Sequence, residues 1–438
     1  MRKHSPFILI LFTYFILGGL YALKTPAWQT PDEPAHYNYV RQLANGRIPT
    51  MTQSDYDEAY KNAAVSSGFA PAYDIGKITY EDWQPPLYYL LQTPIYWLTG
   101  GSLAAMRLFS LLLGAGVVIL AYATAVSLWP RQMWKAQTTA VFIALLPQHL
   151  AIMASLNNDA LAELLIAAII YLLLQYNQQP TPKTAVSLGV LLGLGFLTKG
   201  TVYPLALVAG GTGIWMYWGQ WRALWRHGLT IALPAFALGA LWWVRNILIY
   251  GGMDVLGKAA HDAVVVGQPR TSEWIAQFGL LETVRQFIIT TFHSFWGQFG
   301  WMALPMLHPH WLYPLLALLM AAAGLGLLVA VWQKWRQWSQ MQWPQETAVP
   351  LFILAGVTAL TFGLHIGYNL TFVQHQGRYL FPALIPIGLG VAVGLGVWLR
   401  PFARRWPVVY QLLPLGLGLS MALLNVYAIF RVIIPNLL

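Results

Sequence analysis

The sequence contains no cysteine, which excludes disulfide bonds, thiol catalysis and cysteine metal sites. Charge is also scarce: Asp, Glu, Lys and Arg make up 9% of the 438 residues, far below the ~25% of a soluble domain. Hydrophobic residues make up 57% instead. A surface with so few charges does not suit water, so this composition indicates a protein embedded in lipid.

Long apolar runs separate the polar segments, and several approach the ~20 residues that a helix needs to cross ~30 Å of hydrocarbon. Their residues are apolar on every face rather than alternating, which favours helices over barrel strands. We therefore expect an all-α polytopic membrane protein with about eleven transmembrane helices, or twelve if residues 86–99 also cross. The predicted spans are residues 7–23, 103–128, 138–153, 160–176, 184–197, 202–218, 229–250, 312–332, 349–370, 379–399 and 409–434.

The basic residues of the short loops predict the orientation, because such loops carry more Lys and Arg on the cytoplasmic side. With the N-terminus in the cytoplasm, the chain is one transmembrane domain (1–438) with two long extracytoplasmic loops, 24–85 and 251–311. This holds if residues 86–99 form an interfacial or re-entrant segment. The cytoplasmic loops then contain Arg131, Lys135, Lys183, Arg222, Arg226, Lys334, Arg336, Arg400, Arg404 and Arg405.

The net charge of +10 does not indicate a nucleic-acid binder. Its Lys and Arg residues are scattered over short loops, with no basic, aromatic-rich domain that could hold a strand. Membrane lipids and an anionic lipid or phosphate are the partners that fit this distribution.

An acidic segment follows the first predicted span, where Asp32 and Glu33 stand between prolines and His36 lies one turn later. A carboxylate at a partly dehydrated interface can take a proton from an incoming hydroxyl, as general-base catalysis requires. Alternatively, the segment is an ordinary helix start with Asp32 as its N-cap.

Four cations are expected at the outer ends of their spans, against the positive-inside bias: Arg107, Lys199, Arg245 and Arg378. Together they could hold the phosphate of a lipid, since arginine supplies both charge and bidentate geometry. The alternative for each of them is snorkelling to headgroup phosphates.

Further polar and aromatic residues are expected on the same side and could contact a sugar or an acceptor. Asn158 and Asp159 alternatively cap a helix, and the aromatics alternatively belong to an interfacial belt, with Trp301 nearby. The candidates are His36, Asp82, Gln84, Asn158, Asp159, His293 and Trp296.

A divalent cation is a possible cofactor, although no cofactor is certain. Carboxylate and imidazole ligands suit such an ion, but their spacing here is not diagnostic. No Walker phosphate loop or His-Glu-x-x-His motif is present, and the glycines of 388–396 are expected to serve helix packing. The candidate ligands are Asp32, Glu33, His36, Glu81 and Asp82.

Several of these motifs together resemble the membrane glycosyltransferases of the GT-C fold. Asp32–Glu33 with His36, the QPPLYY segment 84–89 and the Arg107-x-x-Ser pattern resemble protein O-mannosyltransferases. The TKG segment 198–200 resembles the lipid A aminoarabinose transferases. Gln84 departs from the His or Lys of these relatives.

The resemblance over nearly the whole chain is greatest to uncharacterised bacterial members of this superfamily. They share the PDEPAH segment 31–36, the NND segment 157–159, Trp243-x-Arg245-Asn246 and the QGRY segment 376–379. The resemblance implies an enzyme of the bacterial cytoplasmic (inner) membrane with an extracytoplasmic active site.

That enzyme would transfer a sugar from a polyprenyl-phosphate donor to an acceptor hydroxyl, with inversion. By resemblance, Asp32 is the general base, assisted by Glu33. The sugar and the acceptor, which could be a lipid, a polysaccharide or a protein, stay open. A transporter or flippase of a lipid-linked or anionic solute is the alternative, and Glu163, inside a predicted span, is the residue that favours it.

Overall fold

The computed structural model describes residues 4–306, 312–338 and 345–437. Within these ranges the regular secondary structure is helical apart from one isolated β-bridge and one short hairpin, in which β1 (Gln298–Phe299) pairs antiparallel with β2 (Leu304–Pro305). The all-α fold class is therefore confirmed. The helices are α1 (Ser5–Lys24), α2 (Glu33–Ala44), α3 (Glu58–Ser66), α4 (Leu87–Thr99), α5 (Leu103–Leu128), α6 (Met133–Leu145), α7 (Pro147–Met153), α8 (Asp159–Gln178), α9 (Pro182–Phe196), α10 (Pro204–Met216), α11 (Trp221–Tyr250), α12 (Lys258–Val264), α13 (Thr271–Phe278), α14 (Leu280–Trp296), α15 (Leu312–Trp338), α16 (Gln345–Asn369), α17 (Leu384–Ala403), α18 (Val409–Tyr427) and α19 (Ile434–Leu437).

Eight helical segments of the described chain are long and apolar enough to cross a membrane. They correspond to α1, α5, α8, α11, α15, α16, α17 and α18. A ninth span exists if α6 and α7, which meet at a bend of 64°, cross together. The predicted count of eleven is not confirmed.

Three of the eleven predicted spans are short or broken helices in the structure, which accounts for the difference between eleven and eight. The bend between α6 and α7 falls at Pro147, which has no N–H to continue the helical hydrogen bonds. The helices α9 and α10 contain 15 and 13 residues. At 1.5 Å per residue they cover only about 20 Å, less than the ~30 Å of hydrocarbon.

The segment 86–99, expected to be interfacial or re-entrant, forms α4 of 13 residues, again about 20 Å long. It packs against α2 and α5. The Leu87 N–H donates to the Leu197 carbonyl at 2.9 Å, and the indole of Trp97 donates to the Ala44 carbonyl at 3.1 Å. This helix therefore lies beside the first predicted loop.

The two predicted loops pack together at one end of the bundle, which we call the loop end. The second of them contains α12, α13, α14 and the hairpin, and its residues 307–311 lie outside the described part of the chain. Ile78 and Tyr80 share a small apolar core with Val264 and Val265. The indole of Trp301 donates to a backbone carbonyl of the first loop at 2.9 Å.

The opposite end carries basic residues that we expect in the cytoplasm. Arg400 of α17 donates to the side chain of Gln333 on α15. Lys135 of α6 lies 4.4 Å from the ring centroid of Trp129. Their position on the cytoplasmic side stays a prediction.

Glycines allow two helix pairs to approach closely. A Cβ on Gly189 would collide with the Ile231 carbonyl of α11, and a Cβ on Gly394 would collide with the Ala323 carbonyl of α15. Backbones in lipid come this close only where small residues face each other. The packing role expected for the glycines of α17 is therefore confirmed at Gly394.

Single cysteines introduced into this cysteine-free chain test its orientation. Gln53 lies exposed in the first loop, and Gln179 lies exposed between α8 and α9 at the opposite end. We expect Gln53→Cys to react with a membrane-impermeant maleimide in intact spheroplasts and Gln179→Cys to react only after permeabilisation. Labelling in the reverse pattern would contradict the predicted orientation.

Candidate active site

A cavity of about 640 Å³ lies at the loop end. Its walls come from both predicted loops, from the start of α2, from the connection between α9 and α10, from α10 and α16, and from the 3₁₀ helix Gly377–Ala383 that precedes α17. One part of it is polar. That part is lined by Asp32, His36, Glu81, Lys199 and Arg378.

The other part of the cavity is apolar and runs between two helices of the bundle. Leu205 and Val208 of α10 line one side, and Leu360 and Leu364 of α16 line the other. A charged group and a hydrocarbon chain could therefore occupy one continuous space.

Asp32 immediately precedes α2 and has a φ of +67°, in the left-handed region that few residues other than glycine adopt. Asp32 occupies the N-cap position of α2, as the alternative interpretation expected, and its carbonyl accepts the His36 N–H at 3.1 Å, but its side chain makes no capping hydrogen bond. Its Oδ1 instead accepts from the Tyr80 hydroxyl at 2.8 Å, and its Oδ2 accepts from Arg378 Nη2 at 2.7 Å. This backbone conformation thus directs the carboxylate into the cavity.

The charge state of Asp32 results from two opposed effects. Burial alone would raise its pKa, but the charge of Arg378 and the hydrogen bonds from Arg378 and Tyr80 lower the pKa to about 2. Asp32 is therefore ionised at neutral pH.

Two other titratable groups of the cavity are held neutral. Burial lowers the pKa of His36 to about 3, and its Nδ1 lies 2.9 Å from the Tyr89 hydroxyl. Burial, with a further contribution from Asp32, raises the pKa of Glu81 to about 8. At neutral pH the cavity therefore contains a carboxylate and a carboxylic acid on neighbouring walls.

Arg378 is 9% exposed and belongs to the 3₁₀ helix Gly377–Ala383 that precedes α17. Its Nη2 bonds Asp32, whereas its Nε and Nη1 have no hydrogen-bond partner among the described residues. Buried donors without a partner are costly, so they favour a bound acceptor group.

Lys199 lies in the connection between α9 and α10. Its Nζ pairs with Asp159 Oδ1 at 2.6 Å, with side chains 17% and 18% exposed. Behind this pair, the buried amide of Asn158 donates to Gln84 Oε1 at 3.3 Å. Gln84 lines the cavity.

Glu33 and Arg107 form a buried pair beside the cavity. Arg107 Nε donates to Glu33 Oε1 at 2.8 Å, and Nη2 donates to Oε2 at 2.6 Å. The remaining Arg107 donors bond the carbonyls of Ala22, Thr25 and Pro26. An arginine has five N–H donors, and here five hydrogen bonds use them, which leaves none for a lipid phosphate.

Two further predicted residues lie outside the cavity lining. Arg245 lies 4.4 Å from the Trp242 ring centroid and donates to Asn246 Oδ1 at 2.8 Å. Asp82 accepts from Gln42 Nε2 at 2.8 Å and faces a second cavity.

The aromatic pair expected to stack on a sugar also lies elsewhere. Trp296 is fully buried, with its ring edge-on to Phe142, so it has no face to offer a ligand. His293 is stacked on Tyr313 with centroids 3.7 Å apart. The aromatic residue of this segment that lines the cavity is Trp301.

Tyr80 is a site residue that the sequence analysis missed. Its hydroxyl holds Asp32, and its ring is buried in the small core between the two loops. The one signal available was its position next to Glu81, in the acidic cluster that closes the first loop.

A divalent-cation site is not formed by the side chains as they stand. Among the described residues no group of three or more His, Asp or Glu side chains could hold a metal ion. Asp32 is paired with Arg378, and Glu33 with Arg107. The cation stays a prediction.

The helical architecture is that of the GT-C fold. ArnT from Cupriavidus metallidurans, in a crystal structure bound to undecaprenyl phosphate, aligns with 99% of this chain and 74% of its own, at 14% identity and a TM-score of 0.52. The Archaeoglobus fulgidus oligosaccharyltransferase, in a complex with Zn and sulfate, aligns with 96% of this chain and 53% of its own, at 13% identity and a TM-score of 0.57. Both are GT-C fold glycosyltransferases, and at these identities the likeness concerns the fold.

Residues 74–387 match the family of predicted membrane proteins designated DUF2142. The match covers most of the chain, and the protein belongs to this family. It is therefore a multi-pass membrane protein. No curated protein matches the chain.

Removing Glu33 tests the buried pair. Breaking such a pair leaves a charge without its partner and costs about 3–5 kcal/mol, whereas an exposed pair contributes about 0–1 kcal/mol. We expect Glu33→Gln to lower the thermal unfolding midpoint in detergent, followed by tryptophan fluorescence. The matched control is Glu282→Gln, which breaks the exposed pair with Arg285 on α14 and should barely change the midpoint. Equal midpoints for both variants would contradict this role of Glu33.

The raised pKa of Glu81 predicts how the stability of the protein depends on pH. Because its pKa is raised from 4.5 to about 8, folding favours its protonated form, and this contribution is lost as pH rises through about 8. We expect the unfolding midpoint of the wild type to fall between about pH 6.5 and pH 8, because below that range His36, whose pKa burial lowers to about 3, adds stability as pH rises and opposes the fall. Glu81→Gln should remove part of that fall. The rest of the fall should remain, because burial also raises the pKa of Asp82 to about 8. An unchanged profile in Glu81→Gln would show that Glu81 is not held neutral.

Proposed function

We propose that this protein transfers a sugar from a polyprenyl-phosphate donor to an acceptor hydroxyl on the extracytoplasmic face of the membrane. The observation that carries the proposal is the first cavity at the loop end, which combines the ionised Asp32, the cations Arg378 and Lys199, and an apolar wall. The GT-C fold supports the class of reaction.

The two parts of the cavity suit the two parts of such a donor. The phosphate would lie between Arg378, whose Nε and Nη1 lack partners, and Lys199. The hydrocarbon chain would follow the apolar wall between α10 and α16. Undecaprenyl phosphate, bound by the ArnT of similar fold, has both parts.

Asp32 is the proposed general base. In its present pair with Arg378 it is a weak base, because its pKa is about 2. A bound phosphate would share Arg378 and add negative charge beside Asp32, and both effects raise the pKa of a carboxyl group. Donor binding would therefore activate the base.

The chemical step then balances without a further reactant. The acceptor oxygen attacks the anomeric carbon, its proton passes to Asp32, and the bond between that carbon and the phosphate oxygen breaks. The centre is inverted, and polyprenyl phosphate leaves with the electron pair. Arg378 and Lys199 stabilise the charge that develops on the leaving phosphate.

Neutral groups of the cavity would orient the sugar. Glu81, protonated at neutral pH, can donate a hydrogen bond, and the neutral ring of His36 can donate or accept one. Gln84 and Trp301 line the same space and suit hydroxyl contacts and ring stacking. The acceptor is a hydroxyl of a lipid, polysaccharide or protein.

Replacing the base tests this mechanism. We expect Asp32→Asn to reduce sugar transfer by on the order of 10²–10⁴-fold, because general-base catalysis contributes about that much. The purified wild type and variant would receive a panel of radiolabelled undecaprenyl-phosphate sugars and a membrane extract as acceptor. The readouts are transferred label and released undecaprenyl phosphate.

Arg378→Gln and Glu282→Gln complete the comparison. Binding of undecaprenyl phosphate, measured by native mass spectrometry, should persist in Asp32→Asn and weaken in Arg378→Gln, while Glu282→Gln should match the wild type in both assays. Turnover of Asp32→Asn at the wild-type rate would eliminate Asp32 as base. Undiminished lipid binding by Arg378→Gln would eliminate Arg378 as the phosphate ligand.

A further inference from the structure

A second cavity of about 550 Å³ lies at the loop end and is polar where the first is partly apolar. It is enclosed by α2 and by parts of the first loop, 54–60 and 76–82. Nothing in the proposed reaction uses it.

Helix α2 separates the two cavities. Asp32 and His36, one turn apart, line the first cavity, whereas Asn38, Arg41 and Gln42 line the second. Successive residues of a helix are rotated by about 100°, so His36 and Asn38 face nearly opposite sides. A second connection is made by the strongly buried pair of neighbours Glu81 and Asp82, because the first lines one cavity and the second lines the other.

The cations of the second cavity are free of ion pairs. Arg41, Arg47 and Lys77 line it, and none of them makes an ion pair or a side-chain hydrogen bond within the described residues. Lys77 Nζ makes a cation–π contact instead, 5.1 Å from the Tyr60 ring centroid. These three cations are therefore available to an anionic ligand.

The acidic residues that line this cavity make no ion pair with these cations within the described residues, and their oxygens accept hydrogen bonds from other groups. Asp57 Oδ1 accepts the Tyr60 N–H at 2.9 Å and so caps α3. Asp55 Oδ1 accepts the Thr79 hydroxyl at 2.8 Å, and its Oδ2 accepts the Thr52 N–H.

Two buried acceptors of the cavity residues have no partner. Asn38 is fully buried and Asp82 is 3% exposed, and the Oδ1 atom of each makes no hydrogen bond within the described part of the chain. Asn38 Nδ2, by contrast, bonds two backbone carbonyls, which fixes the amide. A buried polar atom left without a partner is costly, so these atoms favour a ligand that carries hydroxyl groups, which can donate or accept.

We propose that this second cavity binds an anionic carbohydrate, meaning a sugar that carries a carboxylate or a phosphate. Arg41, Arg47 and Lys77 bind the anionic group, and Asn38 and Asp82 make hydrogen bonds with the hydroxyls. Gly76 leaves the necessary room, because a Cβ there would lie 3.0 Å from the Arg41 guanidinium. The ligand is the acceptor or a part of it, and this assignment rests on the proposed function.

Saturation-transfer NMR on the full-length protein in phosphatidylcholine nanodiscs tests the site. The probes are glucuronate, glucose 6-phosphate and neutral glucose, at millimolar concentration. We expect signal transfer to both anionic sugars and at least about a tenfold weaker affinity in the double variant Arg41→Gln/Lys77→Gln, as loss of charge-assisted hydrogen bonds implies. The matched control, Arg285→Gln, removes a cation from α14 and should bind like the wild type.

Several results would overturn the proposal. These are equal binding of glucose, undiminished binding by the double variant, or the same loss in Arg285→Gln. Binding of inorganic phosphate with no binding of glucuronate would also overturn it, since that shows a phosphate site without sugar recognition. Should the double variant fail to fold, Lys77→Gln alone, on the exposed turn Ile75–Lys77, must still weaken binding.

The two proposals can fail separately. Asp32→Asn should bind the anionic sugars normally, because Asp32 lines only the first cavity. Where transfer is measurable, the double variant should raise the KM for an anionic acceptor and leave kcat unchanged. Sugar binding without transfer from any donor would reject the proposed function and leave the binding site standing, whereas transfer with an unchanged KM would reject the assignment to the acceptor.

Discussion

The buried pair of Glu33 and Arg107 is the interaction on which the site depends. Arg107 of α5 bonds carbonyls in the last turn of α1 and just after it, while Glu33 at the start of α2 also accepts the backbone N–H groups of Trp28 and Leu156. One ion pair therefore joins α1, α2, α5 and the turn before α8. With Glu33 fixed on this side, the adjacent Asp32 in its left-handed conformation must project the other way, into the cavity.

The two adjacent carboxylates consequently have different properties. Glu33 is fully buried and held by four hydrogen bonds, whereas Asp32 is 23% exposed and held by two. Asp32 and Asp159 each hold a cation of the cavity, Arg378 and Lys199. A phosphate can therefore replace part of these carboxylate contacts. It needs no further cation in the cavity, because Arg378 and Lys199 are already in place.

Hydropathy was sufficient to predict the class of fold and the long spans, but it overcounted the helices that cross. Pro147 and the break near Lys199 shorten segments whose composition alone is apolar enough. The acidic segment could be found because carboxylates between apolar runs are rare. Arg378 could also be found as a candidate, but its pairing with Asp32 could not, since the two are 346 positions apart and only the folded bundle brings them together. Trp296 shows the converse error, because an aromatic near a predicted loop proved to be packed in the core.

The position of α2 links the reaction to the choice of acceptor. This helix has the proposed base at its first turn and Arg41 on its other side, where the second cavity lies. An acceptor held there by its anionic group has to reach Asp32 past the edge formed by Glu81 and Asp82. Burial raises the pKa of both residues to about 8, so at neutral pH this edge carries little negative charge to repel an anionic sugar. The burial of two acidic side chains at this edge is thus compatible with an anionic acceptor, whereas two ionised carboxylates there would oppose it.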